Sequence, residues 1–354
     1  MIEPRCDELL EIDGATGEGG GQIVRTSLGL SMVTGRPVRI ENIRARRNKP
    51  GLMRQHLTAL LAAQEICSAR VEGAEVESTT VHFQPGEPRG GDYEYHVGSA
   101  GSATLVLQTI LPALLTVASP SRLTLSGGTH NPWAPPFDFL DKSFLPLVSR
   151  LGPQVSAELK RFGFYPAGGG VLEIAIDPAE RLQPFDLLER GSQTTHMVQA
   201  VVSDLPAEIG RRELSIAVRR LGWEEHDGEL VHREQGDGPG NVLMIQAEFE
   251  QLNCVFTAFG RVGVSGEQVA RDVVKQYRRY EKFGAVVDEH LCDQWMLLLG
   301  LAVASSGTSA AFLTSPLSRH SQTQRELIER FLPVEFQTAP QGAASCVTCR
   351  RLPE

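Results

Sequence analysis

Residues 9–43 read LLEIDGATGEGGGQIVRTSLGLSMVTGRPVRIENI. The apolar run at 9–12 reads as a strand. It runs into a turn with five glycines between Gly14 and Gly21. An apolar helix is predicted over 23–34, closed by Gly35 as a left-handed cap, with a second strand over 37–43. Further on, a strand at 93–97 meets the turn Gly98-Ser99-Ala100-Gly101, then a helix at 103–117 and a strand at 122–126. A second helix follows each block, at 52–69 and 137–150, and strand pairs follow around 76–83 and 155–176. This is βαβαββ written twice, at a period of roughly 85 residues.

A third copy is displaced toward the C-terminus: a helix at 286–304, a strand at 310–314, a helix at 324–331 and a strand at 334–337. Residues 185–280, between copies two and three, have a pattern of their own. Strands are expected at 197–203, 241–248 and 254–260 and helices at 207–221 and 266–280, with the loop Gly236-Asp237-Gly238-Pro239-Gly240 among them. The expected fold class is α+β, an α/β repeat of three βαβαββ units with a small inserted α/β domain. On this division residues 1–184 and 281–340 form the main domain, 185–280 the insert and 341–354 a C-terminal tail.

The composition is that of a soluble globular chain, 41% hydrophobic and 22% charged, with a net charge of −9. The first ten residues, MIEPRCDELL, carry acids and no apolar core, so no secretory signal is expected. Two stretches, 97–121 and 295–318, hold no charged side chain but are broken by glycine, serine and proline. Both read as buried helices rather than membrane spans. Six scattered cysteines suit a reducing cytoplasm. Cys346 and Cys349 lack a second ligand pair for zinc and read as thiols in a loose tail.

Against this acidic background one short stretch is basic. Arg36, Arg39, Arg44, Arg46, Arg47, Lys49 and Arg54 face a single acid, Glu41. Such a spot can grip a few phosphates, as on a nucleic-acid end or a phosphorylated small molecule. Pro50 and Gly51 break the chain there, and Arg54, Gln55 and His56 fall in the first turns of the next helix. Cations at a helix start oppose its dipole, so a bound anion explains them better than a solvated loop.

Other segments carry chemistry with less specificity. The Asp13–Gln22 turn brings backbone N–H groups and a helix start to one place, and Glu18 could hold a divalent cation; it is not a Walker A motif, since no Gly-Lys-Ser/Thr follows. Taken alone it reads equally as a tight turn with solvated acids. The stretch from Ser126 to Phe139 is a proline-stiffened loop with Trp133 and Phe137 beside glycines. Its aromatics suit stacking a base, or equally packing inward. His290, Asp293 and Gln294 share one helix face above a buried stripe of Leu291, Trp295, Leu298 and Ala302. His320 lies in a polar loop just ahead of an amphipathic helix, where Ser321 with Gln324 or Thr323 with Glu326 can form a capping box. Arg319 and the helix end favour its neutral, nucleophilic form; the alternative is a surface histidine near a cap.

Seven of these segments, in order, resemble the RNA 3′-terminal phosphate cyclase family: DGATGEGGGQIVR, IRARRNKPGLMRQH, GSAGSATLVLQT, GGTHNPWAPP, GFYPAGGG, VDEHLCDQ and SRHSQT. The resemblance implies three βαβαββ units related to the enolpyruvyl transferases, with a small α/β insertion. It implies ATP with Mg2+ or Mn2+ as cofactors and RNA 3′-phosphate ends as partners. A histidine takes AMP from ATP and passes it to the RNA phosphate, and the ribose 2′-OH then closes a 2′,3′-cyclic phosphodiester. His320 falls at the nucleophile position. Glu18 would hold metal. Arg25, Arg44, Arg47, Gln55 and His56 would line the phosphate site. Gln108, Pro135, His290, Asp293 and Gln294 would hold the nucleotide, with Phe139 near the base. His290 stands where the pattern has tyrosine, and His130 and Trp133 make the proline loop unusual. A cytoplasmic protein is expected, with no membrane association and a homo-oligomer left open. The chief rival is a non-catalytic cyclase-like RNA-binding protein of ribosome assembly, against which His320 argues. An enolpyruvyl transferase itself would need a longer chain.

Overall fold

The structure is a computed structural model and describes residues 8–234 and 238–353. Cys6, the first residues of the chain, and Gly236 and Asp237 of the glycine loop lie outside the described residues.

The first sheet is made by β1 (Leu10–Asp13), β2 (Val38–Glu41), β3 (Arg70–Glu72) and β4 (Val81–Gln84) in the order β1-β2-β4-β3. β1 and β2 are parallel, and the other pairs antiparallel. Helices α1 (Gly21–Thr34) and α2 (Arg54–Cys67) connect them. β5 (Asp92–His96), β6 (Ser121–Gly127), β7 (Gln154–Arg161) and β8 (Gly170–Asp177) repeat that plan as β5-β6-β8-β7, with the same strand senses. Their helices are α3 (Ala103–Leu114) and a continuous stretch of α4 (Phe137–Phe139), a π turn (Leu140–Phe144) and α5 (Leu145–Arg150).

Next come β9 (Gln193–Ser203), α6 (Ala207–Leu221), β10 (Gly228–Arg233), β11 (Gly240–Phe249), β12 (Asn253–Phe259) and α7 (Gly266–Phe283). Their sheet has the order β10-β9-β11-β12. β10 was not legible in the sequence, because GELVHR is largely polar and the strand lies at the sheet's edge. The chain finishes with α8 (Glu289–Ser306), β13 (Ala310–Thr314), α9 (Arg319–Phe331), β14 (Val334–Gln341) and β15 (Ala344–Arg351). Leu187 bridges Phe312 of β13 in parallel.

β15 corrects the reading of the last residues as a loose tail. It lies between β13 and β14, the centre of a three-stranded sheet. Val347 and Cys349 are buried, and burial pushes the Cys349 thiol up to about 12. Cys346 and Cys349 are three apart on a strand and so point to opposite faces. Pro340 sits on the edge strand β14, where a missing N–H is tolerated.

The helices meet at the centre. α1 packs on α2, α3 and α9, and α8 on α9. A Cβ on Gly29 would lie 3.0 Å from the Thr109 carbonyl oxygen, so this glycine sets the close approach of α1 to α3. β8 alternates buried and less buried positions along its length, as in a sheet with one buried face, whereas β11 is buried on both faces from Asn241 to Ala247. Among the described residues no helix is long and apolar enough to cross a membrane.

Candidate active site

The glycine turn after β1 is pressed against the start of α9. Gly17 has φ +55°, and a Cβ there would meet Thr323 Oγ1 at 2.1 Å. The Glu18 N–H donates to the same hydroxyl at 3.2 Å. These contacts bring Glu18 beside His320, whose Nε2 lies 3.7 Å from Glu18 Oε1. Two corrections to the sequence reading apply. α9 begins at Arg319, so His320 lies inside its first turn rather than in the preceding loop. Its cap is Ser318, whose Oγ accepts from the Ser321 N–H at 3.1 Å.

Gln22, in the first turn of α1, connects the two ends of the chain. Its Nε2 donates to Asp293 Oδ2 at 2.8 Å, and its Oε1 lies 3.1 Å from His320 Nδ1. An ionised carboxylate only accepts, so the amide turns its NH2 to Asp293 and its oxygen to the imidazole. An amide oxygen also only accepts, so His320 Nδ1 carries the proton. The lone pair is left on Nε2, the nitrogen beside Glu18. Burial lowers the pKa of His320; Asp293 opposes this, while Arg25, Arg47 and His290 add to it. Burial raises Asp293 to about 6 against the pull of His320, His290 and Arg25.

Basic groups surround the turn. Arg47 pairs with Glu18. His56 is buried with Nδ1 accepting from the Met53 N–H at 3.1 Å, which leaves its proton on Nε2. Burial, then Arg25 and Arg44, push His56 down to about 3, so it is neutral near pH 7. Burial brings Arg25 to about 10, still protonated. A Cβ on Gly21 would lie 2.2 Å from His56 Nε2 and 2.9 Å from Arg25 Nη1. Only glycine leaves these donors next to the uncapped start of α1, where N–H groups favour an anion. Arg44 is partly spent on structure, its Nη1 donating to the carbonyls of Lys49 at 2.7 Å and Gly51 at 3.1 Å.

The remaining sequence-chosen residues divide. Gln108 donates to Gln294, whose own amide donates to the His290 carbonyl at 3.1 Å. The Pro135 carbonyl accepts from Thr104 Oγ1 at 2.8 Å, one turn before Gln108 on α3. Gln55 accepts from the Ser102 N–H at 2.9 Å and ties α2 to the α3 start. The side chain of His290 is exposed in the first turn of α8, beside a cavity of about 370 Å³ lined by Tyr280, Phe283 and Asp288. Phe139 is only 3% exposed and belongs to the core rather than an open wall. Sequence reasoning passed over Gln22 and Thr323. The available signal for Gln22 was a polar side chain at the head of an otherwise apolar helix.

Among the described residues no three His, Cys, Asp or Glu side chains converge as a metal cage. Glu18 is a carboxylate set beside Arg47 and His320. That fits a magnesium-like ion, which takes one or two carboxylates and completes its shell with phosphate oxygens and water.

A family model described as RNA 3′-terminal phosphate cyclase matches residues 16–338. Proteins named RNA 3′-terminal phosphate cyclase are similar over nearly their whole length. One from Koribacter versatilis is 46% identical over 338 residues, covering 96% of this chain and 94% of the relative. One from Pseudomonas aeruginosa is 50% identical over 329 residues, covering 93% and 94%. One from Salmonella typhimurium is 45% identical over 328 residues, covering 93% and 95%. With a match of this extent, the chain belongs to the RNA 3′-terminal phosphate cyclase family of enzymes.

Proposed function

We propose that this protein uses ATP to convert an RNA 3′-terminal phosphate into a 2′,3′-cyclic phosphodiester, with His320 as the nucleophile. The observation that carries the reading is the Asp293–Gln22–His320 relay, which protonates Nδ1 and leaves Nε2 free toward the glycine turn. In the first step Nε2 attacks the α-phosphorus of ATP; an N–P bond forms and pyrophosphate leaves. In the second step an oxygen of the RNA 3′-phosphate displaces the histidine, giving RNA-(3′)pp(5′)A and restoring His320. In the third step the ribose 2′-OH attacks the RNA phosphorus, its proton is released and AMP leaves. Splitting the displacement in this way is the usual gain of nucleophilic catalysis.

Arg25, Arg47 and the α1 N–H groups supply preorganised positive charge for phosphate oxygens, with His56 as a neutral donor through Nε2. Glu18 would hold a divalent ion, which would offset the charge of the triphosphate. Because Glu18 is already paired with Arg47, ion binding would release that guanidinium toward substrate. Gln108, Gln294 and Asp293 suit the nucleoside of ATP, with Pro135 on the facing loop. The shared strand order of the first two sheets supports a repeated βαβαββ unit, and the parallel bridge from Leu187 to β13 supports a third copy; the relation to the enolpyruvyl transferases rests on the resemblance alone. The module of β9–β12 with α6 and α7 is read as their insertion, and the protein as cytoplasmic.

Incubation with ATP labelled at the α-phosphate and Mg2+ or Mn2+ tests the reading. The intact protein is expected to carry covalent AMP, stable to denaturation and absent from His320→Ala. No adduct in the intact protein would reject the catalytic role and favour a cyclase-like RNA binder.

A further inference from the structure

Two aromatic rings stand in the open near the cradle. Trp133 is 69% exposed and Tyr165 is 55% exposed, and they meet edge to face with centroids 5.5 Å apart. Among the described residues no other large aromatic side chain is exposed. Both loops are held from beneath by one buried histidine. His130 Nε2 lies 2.9 Å from Asp138 Oδ2, and its Nδ1 lies 2.9 Å from Thr129 Oγ1. That hydroxyl also accepts from the Gly163 N–H at 2.8 Å. Phe162 and Phe164, leading into Tyr165, lie against the imidazole with centroids 5.0 and 5.3 Å away.

The Gly98–Gly101 turn joins this aromatic corner to the basic start of α2. The Ala100 carbonyl accepts from Asn131 Nδ2 at 2.6 Å, and a Cβ on Gly168 would lie 2.8 Å from Ala100 Cα. On the other side of the turn, the Gly98 carbonyl faces Arg54 Nη1 at 3.5 Å and Ser102 N–H donates to Gln55. The exposed rings are therefore one short turn away from the helix that carries Arg54, Gln55 and His56.

We propose that Trp133 and Tyr165 form a stacking platform for a base of single-stranded RNA upstream of its terminal phosphate. The proposal deepens the reading above, since it takes an RNA end as the occupant of the cradle. A ring face accepts any base, and a platform already fixed by His130 loses little freedom when a base settles on it. Phosphate grips near the turn would hold the end, and the aromatic pair would hold the strand leading to it.

The test is a binding cycle with the full chain. A 5′-fluorescein RNA hexamer with a 3′-phosphate is compared by anisotropy with hexamers carrying abasic ribose at each upstream position. Wild-type protein is expected to bind one of the abasic hexamers about tenfold more weakly than the intact hexamer. In Trp133→Ala that ratio falls to about one, Tyr165→Ala reduces it, and Trp133→Phe retains most of it. A ratio near one in the wild type, or a ratio untouched by Trp133→Ala and Tyr165→Ala, overturns the platform. The readout needs no turnover. A failed AMP adduct with an intact base-dependent ratio would sink the catalytic reading and leave the platform standing; the converse would sink only the platform.

Discussion

At the scale of single residues, the proposed chemistry depends on which nitrogen of His320 holds the proton. Gln22 decides it only while Asp293 is ionised, because a protonated Asp293 could donate to the amide and let it turn. Asp293 is raised to about 6, and His320 sits below its ordinary range. As pH falls through about 6, Asp293 gains its proton and frees the amide to turn, so AMP transfer should lose rate there. Single-turnover AMP transfer measured against pH should show this acid limb in the intact protein. In Asp293→Asn the limb should move to lower pH; a limb at the same place in both proteins would mean the relay does not govern the step. Gln22→Ala removes the same lock by another route. It should slow AMP transfer by about tenfold, as for the loss of one positioning hydrogen bond, while the protein stays folded.

At the scale of elements, the site is a junction between the first turn of the chain and α9. Ser318→Ala deletes the cap of α9 two residues before His320. It should cost about 1 kcal/mol of stability and weaken adduct formation more than that loss of folded protein explains. Denaturant melts alongside AMP labelling give both quantities. Gly17→Ala acts on the facing element. A residue with a Cβ at φ +55° costs roughly 1–2 kcal/mol, and here the new methyl also runs into Thr323 Oγ1. Thr323→Ala in the same chain should recover part of the activity by clearing that contact, but not the backbone cost. If the double variant behaves as the sum of the singles, the turn and α9 are not coupled in this way.

At the scale of the whole molecule, the last strand is structural. A chain ending at Pro340 lacks β15, which bonds to β13 on one side and β14 on the other and buries Val347 and Cys349. It should fail to fold, seen as insolubility or loss of cooperative melting; a soluble, cooperatively melting product would show the third sheet to be dispensable. The global charge of −9 with one basic spot makes a second prediction. RNA affinity should fall with salt with a shallow slope, that of roughly two to four phosphates, rather than the steep dependence of a duplex track.

The sequence alone determined the repeat, and with it most of the elements. Hydrophobic period, glycine caps and proline breaks act over a few residues, so 23–34, 103–117 and 310–314 could be read directly. It also gave the glycine turn, the basic stretch and His320 as separate pieces. Tertiary structure decided what the pieces do together. It put Thr323 on the glycine turn, Gln22 between Asp293 and His320, Phe139 in the core, and the polar strand β15 at the centre of a sheet. Each of these rests on contacts between residues far apart in the chain, where spacing carries no signal. A hydrogen bond's direction, and so the tautomer of one imidazole, follows from three such partners at once.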